Sequence, residues 1–415
     1  MTKNKLFKKK TSILIVTQHF YPDFAATGQL LFDLSKKLAQ KDFKISVYTA
    51  MPFYKDIKRT SPSKEIINDV KIFRTKITKF WIRSIFGRSI NGIIFCIKFF
   101  TYIIFKKRNK LIIYTTAPVF LPIVGYLISK VSGLSYVAIL YDIYPQILSK
   151  LKILNEKNLL IRMWHKLNYL MIQDAKEIIV LSEDMKNTIC SYNRDFDSKV
   201  KIIKSWSNDK NIKKIEKQNN WFLEENNLKN KFVILYSGNQ GRCHDLKTII
   251  DTAYHLRKEK EIVFLFIGNG FYNKKLKTIK KDKKLYNCIF LPYQKLENLS
   301  YSLSSADIAL VTIKKGFEAV MSPSKLFGHL AIGTPIALVT SSNSELRETI
   351  KKYKFGKWFK NGESNKLAEW ILSLKNEPKL MVPIGENSLN YLKKNATSEI
   401  ISKQYANLLC KYVES

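Results

Sequence analysis

Ile13-Leu14-Ile15-Val16-Thr17, the loop Gln18-His19-Phe20-Tyr21-Pro22-Asp23-Phe24-Ala25-Ala26-Thr27-Gly28-Gln29, an amphipathic stretch from about Leu30 to Gln40, and Ile45-Ser46-Val47-Tyr48-Thr49 decide the fold. The first and last are short, rich in β-branched residues and free of polar alternation, as strands buried on both faces are. Strand, helix and strand in this order make a βαβ unit, and such units build parallel sheets covered by helices. The same alternation predicts strands near Leu111–Thr115, Tyr136–Leu140 and Glu177–Leu181. A polar stretch rich in Lys and Asn, 208–231, interrupts the rhythm, and strands near Phe232–Ser237, Ile262–Ile267, Cys288–Leu291, Ile308–Val311 and Ile336–Val339 resume it. A chain of 415 residues exceeds one average core, so two domains of about 200 residues are expected. The expected order is a first α/β domain at 1–207, a linker at 208–231, a second domain at 232–395 and a C-terminal helix at 396–415.

Ligands of open α/β sheets sit beyond the carboxyl ends of the strands. Gly28, Gly238 to Arg242, and Gly268-Asn269-Gly270 lie in such loops, so two facing halves would form a cleft lined by them. Gly238-Asn239-Gln240-Gly241 lets a backbone approach a phosphate, and Arg242 would hold two of its oxygens. Farther on, Pro323-Ser324-Lys325-Leu326-Phe327-Gly328 precedes a Gly333-Thr334-Pro335 turn and the apolar run Ile336–Val339. Its two readings are an anion site, with Lys325 adding charge to the free N–H groups of a helix start, and an ordinary helix start with Ser322 as cap. Arg242 and Lys325 together would clamp a diphosphate at roughly micromolar strength, from charge-assisted bonds of about 1.5–3 kcal/mol each.

Glu318 either accepts hydrogen bonds from sugar hydroxyls or is a solvated loop residue. Asp142, after a strand and before Ile143-Tyr144-Pro145, is either a catalytic or substrate-positioning acid at the cleft mouth or the cap of the next helix. Five scattered cysteines and five histidines show no metal-ligand spacing, and separated thiols suit a reducing cytosol. His165, His255 and His329 fall in helical patterns and read as structural, whereas His19 and His244 fall in strand-end loops.

The formal charge is +37, from 71 Lys and Arg against 34 Asp and Glu. Such a chain associates with phosphate, whether of nucleic acid, lipid headgroup or nucleotide. From Val70 to Tyr141 it has no acid, where an even spread would give about six, and twelve Lys or Arg. Within this window Lys79 to Arg108 is largely helical in pattern. Arg83, Gly87, Asn91, Lys98 and Thr101 make a narrow stripe opposite Trp81, Ile82, Ile85, Ile93, Cys96, Phe100 and Ile103. A helix of this kind is either part of the first core or rests on an anionic membrane, and the missing acids favour the membrane. Leu111 to Ser129 approaches spanning length but is broken by Pro118, Pro122 and Gly125. The basic N-terminus precedes an apolar run too short for a signal-peptide core, so no secretion signal is expected.

These residues together resemble family 4 of the glycosyltransferases, retaining enzymes of the GT-B fold, in which two Rossmann-like domains face a cleft. The resemblance is to bacterial enzymes of capsule, colanic acid and O-antigen assembly, including the fucosamine-transferring type. It rests on Phe20-Tyr21-Pro22 with Thr27-Gly28, Thr49-Ala50-Met51-Pro52, Asp142-Ile143-Tyr144-Pro145, Tyr236-Ser237-Gly238-Asn239, Ile267-Gly268-Asn269-Gly270, Ala306-Asp307, and Pro323-Ser324-Lys325 with Gly333-Thr334-Pro335. It implies a nucleotide-diphosphate sugar, UDP-linked, as co-substrate with no metal or other cofactor. The donor would meet Gly28, Gly238, Asn239, Gly268, Glu318, Pro323, Ser324 and Leu326, with Asp142, Arg242 and Lys325 carrying the chemistry. The implied enzyme is a hexosyl- or N-acetylhexosaminyltransferase on the inner face of the cell membrane, with a lipid-linked saccharide as acceptor.

The chain also departs from the family pattern. The family's paired glutamates fall on Val320 and Gly328, with Glu318 standing in for the first; its Arg and Lys after the first strand of the second domain fall on Asn239 and His244, with Arg242 as substitute; and a first-domain histidine falls on Tyr141, beside Asp142. Two other classes compete with the transferase: a nucleic-acid-binding protein drawn by charge, which lacks any recognition motif, and an inactive sugar-nucleotide-binding scaffold, which the missing glutamates permit.

Overall fold

The computed structural model describes residues 11–23, 25–41, 43–52, 61–78, 85–105, 111–207 and 212–412. Arg83, Trp81, Ile82 and the Lys106-Lys107-Arg108 cluster lie outside them, as does the side chain of Ile85.

The first half is an eight-stranded sheet of β1 (Thr11–Val16), β2 (Phe43–Ala50), β3 (Lys64–Ile67), β4 (Val70–Thr75), β5 (Leu111–Thr115), β6 (Ser135–Ile139), β7 (Glu177–Val180) and β8 (Val200–Ile202), in the order β3-β4-β2-β1-β5-β6-β7-β8. Only β3 runs antiparallel to its neighbour. Its helices are α1 (Ala26–Ala39), α2 (Ile85–Phe105), α3 (Leu121–Ser132), α4 (Gln146–Lys150), α5 (Leu159–Asp174) and α6 (Glu183–Cys190).

The second half is a six-stranded parallel sheet of β9 (Phe232–Ser237), β10 (Ile262–Ile267), β11 (Cys288–Leu291), β12 (Ile308–Thr312), β13 (Ile336–Val339) and β14 (Gly356–Phe359), ordered β11-β10-β9-β12-β13-β14. Its helices are α7 (Trp221–Glu225), α8 (Leu246–His255), α9 (Asn273–Asp282), α10 (Leu299–Ser304), α11 (Lys325–Ala331), α12 (Glu345–Tyr353), α13 (Ser364–Asn376) and α14 (Met381–Asn395). The last helix, α15 (Ser398–Cys410), returns to the first half and packs on α1. Buried Asp33 of α1 fastens it there, accepting bonds from Ser398 and from Trp206 Nε1.

The central strands have apolar runs because both their faces are covered: every residue of β5 and β10 is buried. The edge strand β3 and its neighbour β4 alternate instead, with charged Lys64, Lys71 and Arg74 among apolar residues. In each sheet the strand order reverses beside the first strand, between β1 and β5 and between β9 and β12. The loops after these four strands therefore flank a crevice, the usual place for a ligand in such sheets.

Several expectations need correction. The stretch 208–231 holds α7, whose Phe222 and Leu223, with Leu228, are buried in a core of the second half, so its described part is no free linker. Helix α1 starts at Ala26, so Gly28 lies in its first turn rather than in a loop. Helix α2 is not divided into one apolar and one polar side. Phe95, Cys96, Phe99 and Ile103 are buried, and the rings of Phe95 and Phe99 lie 5.5 and 5.2 Å from that of Tyr48. Asn91 also turns inward, accepting from Thr78 Oγ1 and donating to the Gly87 carbonyl. Phe86, Ile93, Ile97, Phe100, Ile104 and Phe105 stay exposed beside Lys98 and Thr101, so the helix is apolar on two sides, one of them outward.

Candidate active site

The loop after β12 joins the halves. Its Phe317 and Val320 are buried in the core of the first half, the Val320 carbonyl accepts Ile143 N–H at 2.9 Å, and Asp142 and Met321 form an antiparallel bridge. Asp142 is therefore not the cap of α4, whose N-cap is Pro145. It is half-buried where the two halves meet, and burial pushes its carboxyl up to about 6.

Across the crevice, the β9–α8 loop runs under Lys325. Gly238 has φ +135°, a conformation that glycine adopts without strain, and a Cβ there would lie 3.4 Å from Lys325 Cε. Lys325 Nζ donates to Tyr236 Oη at 2.5 Å and sits 3.8 Å from that ring's centroid, while Tyr236 Oη donates to the Asn239 carbonyl at 2.7 Å. One phenol thus holds both the cation and the loop. Burial lowers the Lys325 ammonium to about 7.

Two buried histidines stand beside it, each lowered to about 3 by burial and by Lys325. His244 donates from Nδ1 to the Thr312 carbonyl at 2.8 Å. His329, one turn after Lys325, has no hydrogen-bond partner among the described residues. Both are neutral at pH 7, which leaves Lys325 as the titrating cation of this pocket. Arg242, four residues beyond Gly238, lays its guanidinium on the Phe271 ring at 3.9 Å.

The other residues expected at the site take different places. Glu318 is buried, and its carboxylate accepts from Gly316 N–H, Thr340 Oγ1 and Ser341 N–H at 2.8, 3.1 and 3.1 Å. It is thus neither a solvated loop residue nor a group open to a sugar; it ties the β12 loop to the end of β13. Gly28 is buried against the His19–Phe20 backbone, where a Cβ would come within 3.1 Å, so its small size serves helix packing. At Gly268 a Cβ would strike the Gly238 carbonyl at 2.2 Å, so this glycine packs the two loops together. Leu326 is a core residue whose N–H is bonded to the Pro323 carbonyl, and buried Pro323 precedes it. Ser322 does not cap α11; Ser324 is the N-cap and makes no side-chain cap bond, and the helix has seven residues. Asn239 is exposed on the loop beside Gly238.

His19, in the loop after β1, has its Nδ1 3.0 Å from Asp23 Oδ2. The separation of four residues was visible, but such a pair forms only when the loop folds back on itself. In the sequence Tyr236 stands out only within the Tyr236–Asn239 motif, because a buried strand tyrosine gives no sign of the lysine that reaches it from 89 residues away.

Residues 217–396 match the family described as glycosyl transferases group 1. The chain is 25% identical over 253 residues to "Probable glycosyltransferase WbjE" of Pseudomonas aeruginosa, covering 60% of this chain and 62% of that protein. It is 32% identical over 124 residues to "Putative colanic acid biosynthesis glycosyl transferase WcaI" of Escherichia coli K12, covering 30% of each. The chain thus spans less than two thirds of the length of these curated relatives. Among solved structures, HepE of Anabaena in complex with UDP and glucose superposes with a TM-score of 0.72 at 15% identity, covering 96% of this chain and 99% of that one; at that identity the likeness shows the fold alone. Residues 217–396 therefore form a glycosyl transferases group 1 domain, carried in a two-domain α/β GT-B fold.

Proposed function

We propose that this protein is a retaining hexosyl- or N-acetylhexosaminyltransferase of surface polysaccharide biosynthesis. It takes its sugar from a UDP-linked donor and passes it to a lipid-linked saccharide. The observation that carries this reading is Lys325, an ammonium held over Gly238 on a group 1 domain with Arg242 on the same loop. HepE, of the same fold, is described with UDP and glucose, and WcaI is named for colanic acid biosynthesis, which supports the donor and pathway classes.

In this mechanism the bond from the sugar C1 to the diphosphate oxygen breaks, and the acceptor oxygen bonds to C1 on the same face. The acceptor proton passes to an oxygen of the departing diphosphate. Lys325 and Arg242 neutralise the charge that develops there, the kind of preorganised contact worth about 10² to 10³ in rate when a single donor is removed.

Peripheral attachment to the inner face of the membrane belongs to this proposal. Helix α2, from Phe86 to Phe105, is long and apolar enough to cross a membrane, yet its Phe95 and Phe99 are committed to the sheet. It is thus suited to lie along a surface with Phe86, Ile93, Ile97 and Phe105 in the lipid. Leu127 and Val131 of α3, and Leu159, Leu160 and Met163 of α5, extend the exposed apolar area over the helices packed alongside.

The test uses the full chain, UDP-hexoses and UDP-N-acetylhexosamines, and an undecaprenyl diphosphate saccharide in vesicles, with the product anomer read by NMR. An α-linked donor should give an α-linked product, and Lys325→Ala should lower kcat at least 10²-fold with the fold intact. If no nucleoside diphosphate sugar binds, the donor assignment is wrong. Donor binding without transfer to any acceptor favours the inactive scaffold.

A further inference from the structure

The cleft mouth holds more positive charge than a donor diphosphate requires. Besides Arg242 and Lys325, three lysines gather there from both halves: Lys150, the last residue of α4, and Lys314 and Lys315, directly after β12. The Lys314 N–H donates to the Cys243 carbonyl at 2.8 Å, which sets this lysine next to Arg242 on the neighbouring loop. Lys150 reaches across from the first half, since a Cβ on Gly316 would lie 4.0 Å from its Nζ.

All three lysines are exposed, and none makes an ion pair among the described residues. Elsewhere on the surface lysines do find acids, as Lys37 and Lys41 find Glu399, and Lys375 finds Glu259 and Glu261. The acids nearest in sequence are Glu318, whose buried carboxylate is held by Gly316, Thr340 and Ser341, and exposed Glu156, which pairs with none of the three.

We propose that Lys150, Lys314 and Lys315 form a second anion subsite, separate from the donor clamp, that grips the phosphate or diphosphate of the acceptor. This rests on the glycosyl-transfer reading above and deepens it: the acceptor is a phosphorylated lipid saccharide, recognised by its phosphate as well as by its sugar. Because the lysines come from both halves, an acceptor bound there bridges the cleft and helps hold it closed over the reacting centre. An ammonium point charge tolerates varied phosphate geometry, which suits a headgroup approaching from a membrane.

The test titrates the full chain, saturated with UDP, with inorganic pyrophosphate and with farnesyl diphosphate by calorimetry. Both should bind one further site per chain. The Lys150→Ala/Lys314→Ala double variant should weaken both at least ten-fold, with UDP affinity unchanged within about two-fold, and the Lys→Arg double variant should restore binding. Because the replaced side chains are exposed, the fold should be retained, as circular dichroism would verify. Pyrophosphate binding that survives the Ala variant overturns the subsite. Loss of UDP affinity in parallel assigns the lysines to the donor clamp instead. A variant that loses only its adsorption to phosphatidylglycerol vesicles shows headgroup binding, and also overturns the proposal. If UDP does not bind the wild type, the glycosyl-transfer reading fails, and lysine-dependent pyrophosphate binding without nucleotide still reports on the subsite.

Discussion

Lys325 shows how one residue's surroundings set the conditions under which the protein works. Its ammonium is lowered to about 7 by burial, so near neutral pH it is only partly charged in the free protein. A diphosphate arriving beside it favours the charged form, and binding therefore takes up a proton. UDP affinity is expected to fall as pH rises from about 7 toward 9, because protonating the amine costs progressively more. Lys325→Arg keeps a cation on the Tyr236 ring that does not titrate in this range, so its affinity should stay flat over the same interval. Calorimetry at several pH values, in buffers of different ionisation enthalpy, checks both the slope and the proton uptake; parallel slopes for the two proteins would refute the assignment. The sign for stability is separate. With the folded value below the unfolded one, the cost of burying the charge is fully present below about 7 and disappears as pH rises toward the lysine's ordinary value. Gly238, Arg242 and Lys325 were legible as candidates because glycine at a strand end and a cation at a helix start are local patterns. Glu318 was not, because the three donors that occupy its carboxylate come from its own loop and from the end of β13, which no spacing reveals.

Among the elements, α2 is the one whose two apolar sides need different explanations. The inner one packs on Tyr48 and its neighbours, as a core helix does, whereas the outer one is left to a partner. Burying an exposed Ile or Phe is worth about 1.5–3 kcal/mol, so a few such side chains together dominate binding to a bilayer, with basic residues adding about 1 kcal/mol each near anionic lipid. Ile97→Glu/Phe105→Glu should lower partition onto phosphatidylglycerol vesicles at least ten-fold while leaving the melting temperature within about 2 °C, since both side chains are exposed. A large fall in melting temperature would instead place these residues in the protein's own packing. A 100° periodicity assigns this helix one apolar face because it counts residue types, and it cannot separate the side that meets a sheet from the side that meets something else. The same limit explains the strands it missed. Buried runs such as those of β5 and β10 are visible by composition. The alternating β3 and β4, at and next to the sheet edge, are not, nor is the three-residue β8 or the four-residue β14, whose Gly356 lies against the Ile336 backbone.

At the scale of the whole molecule, the two halves are joined by a reciprocal exchange of helix caps. The Glu345 carboxylate, from α12 of the second half, accepts Glu183 N–H at 2.7 Å at the start of α6 in the first, and the Asp184 carboxylate of α6 accepts Glu345 N–H at 2.9 Å. Ser182 and Ser344 cap their own helices in the usual way, accepting from Met185 and Leu346 N–H, so these carboxylates satisfy further N–H groups that the serines leave open. Lys204 adds a contact to Glu345 at 3.3 Å, and Thr188 Oγ1 donates to the Ala319 carbonyl at 2.8 Å. Each carboxylate sits where a helix dipole favours negative charge. The arrangement forms only when the halves are close, so it ties the stability of the closed cleft to two side chains that lie outside the donor clamp. A capping interaction is typically worth about 1 kcal/mol. Asp184→Ala and Glu345→Ala should each destabilise the closed form by about that amount, and because the caps form together the double variant should cost less than the sum of the two. Small-angle scattering should show a larger radius of gyration for the double variant, and its KM for both substrates should rise together, since an open cleft weakens every contact that spans it. If the scattering curve matches the wild type while stability falls, the carboxylates cap their helices without holding the halves together, and the closure must rest on the Phe317 and Val320 contacts with the first core.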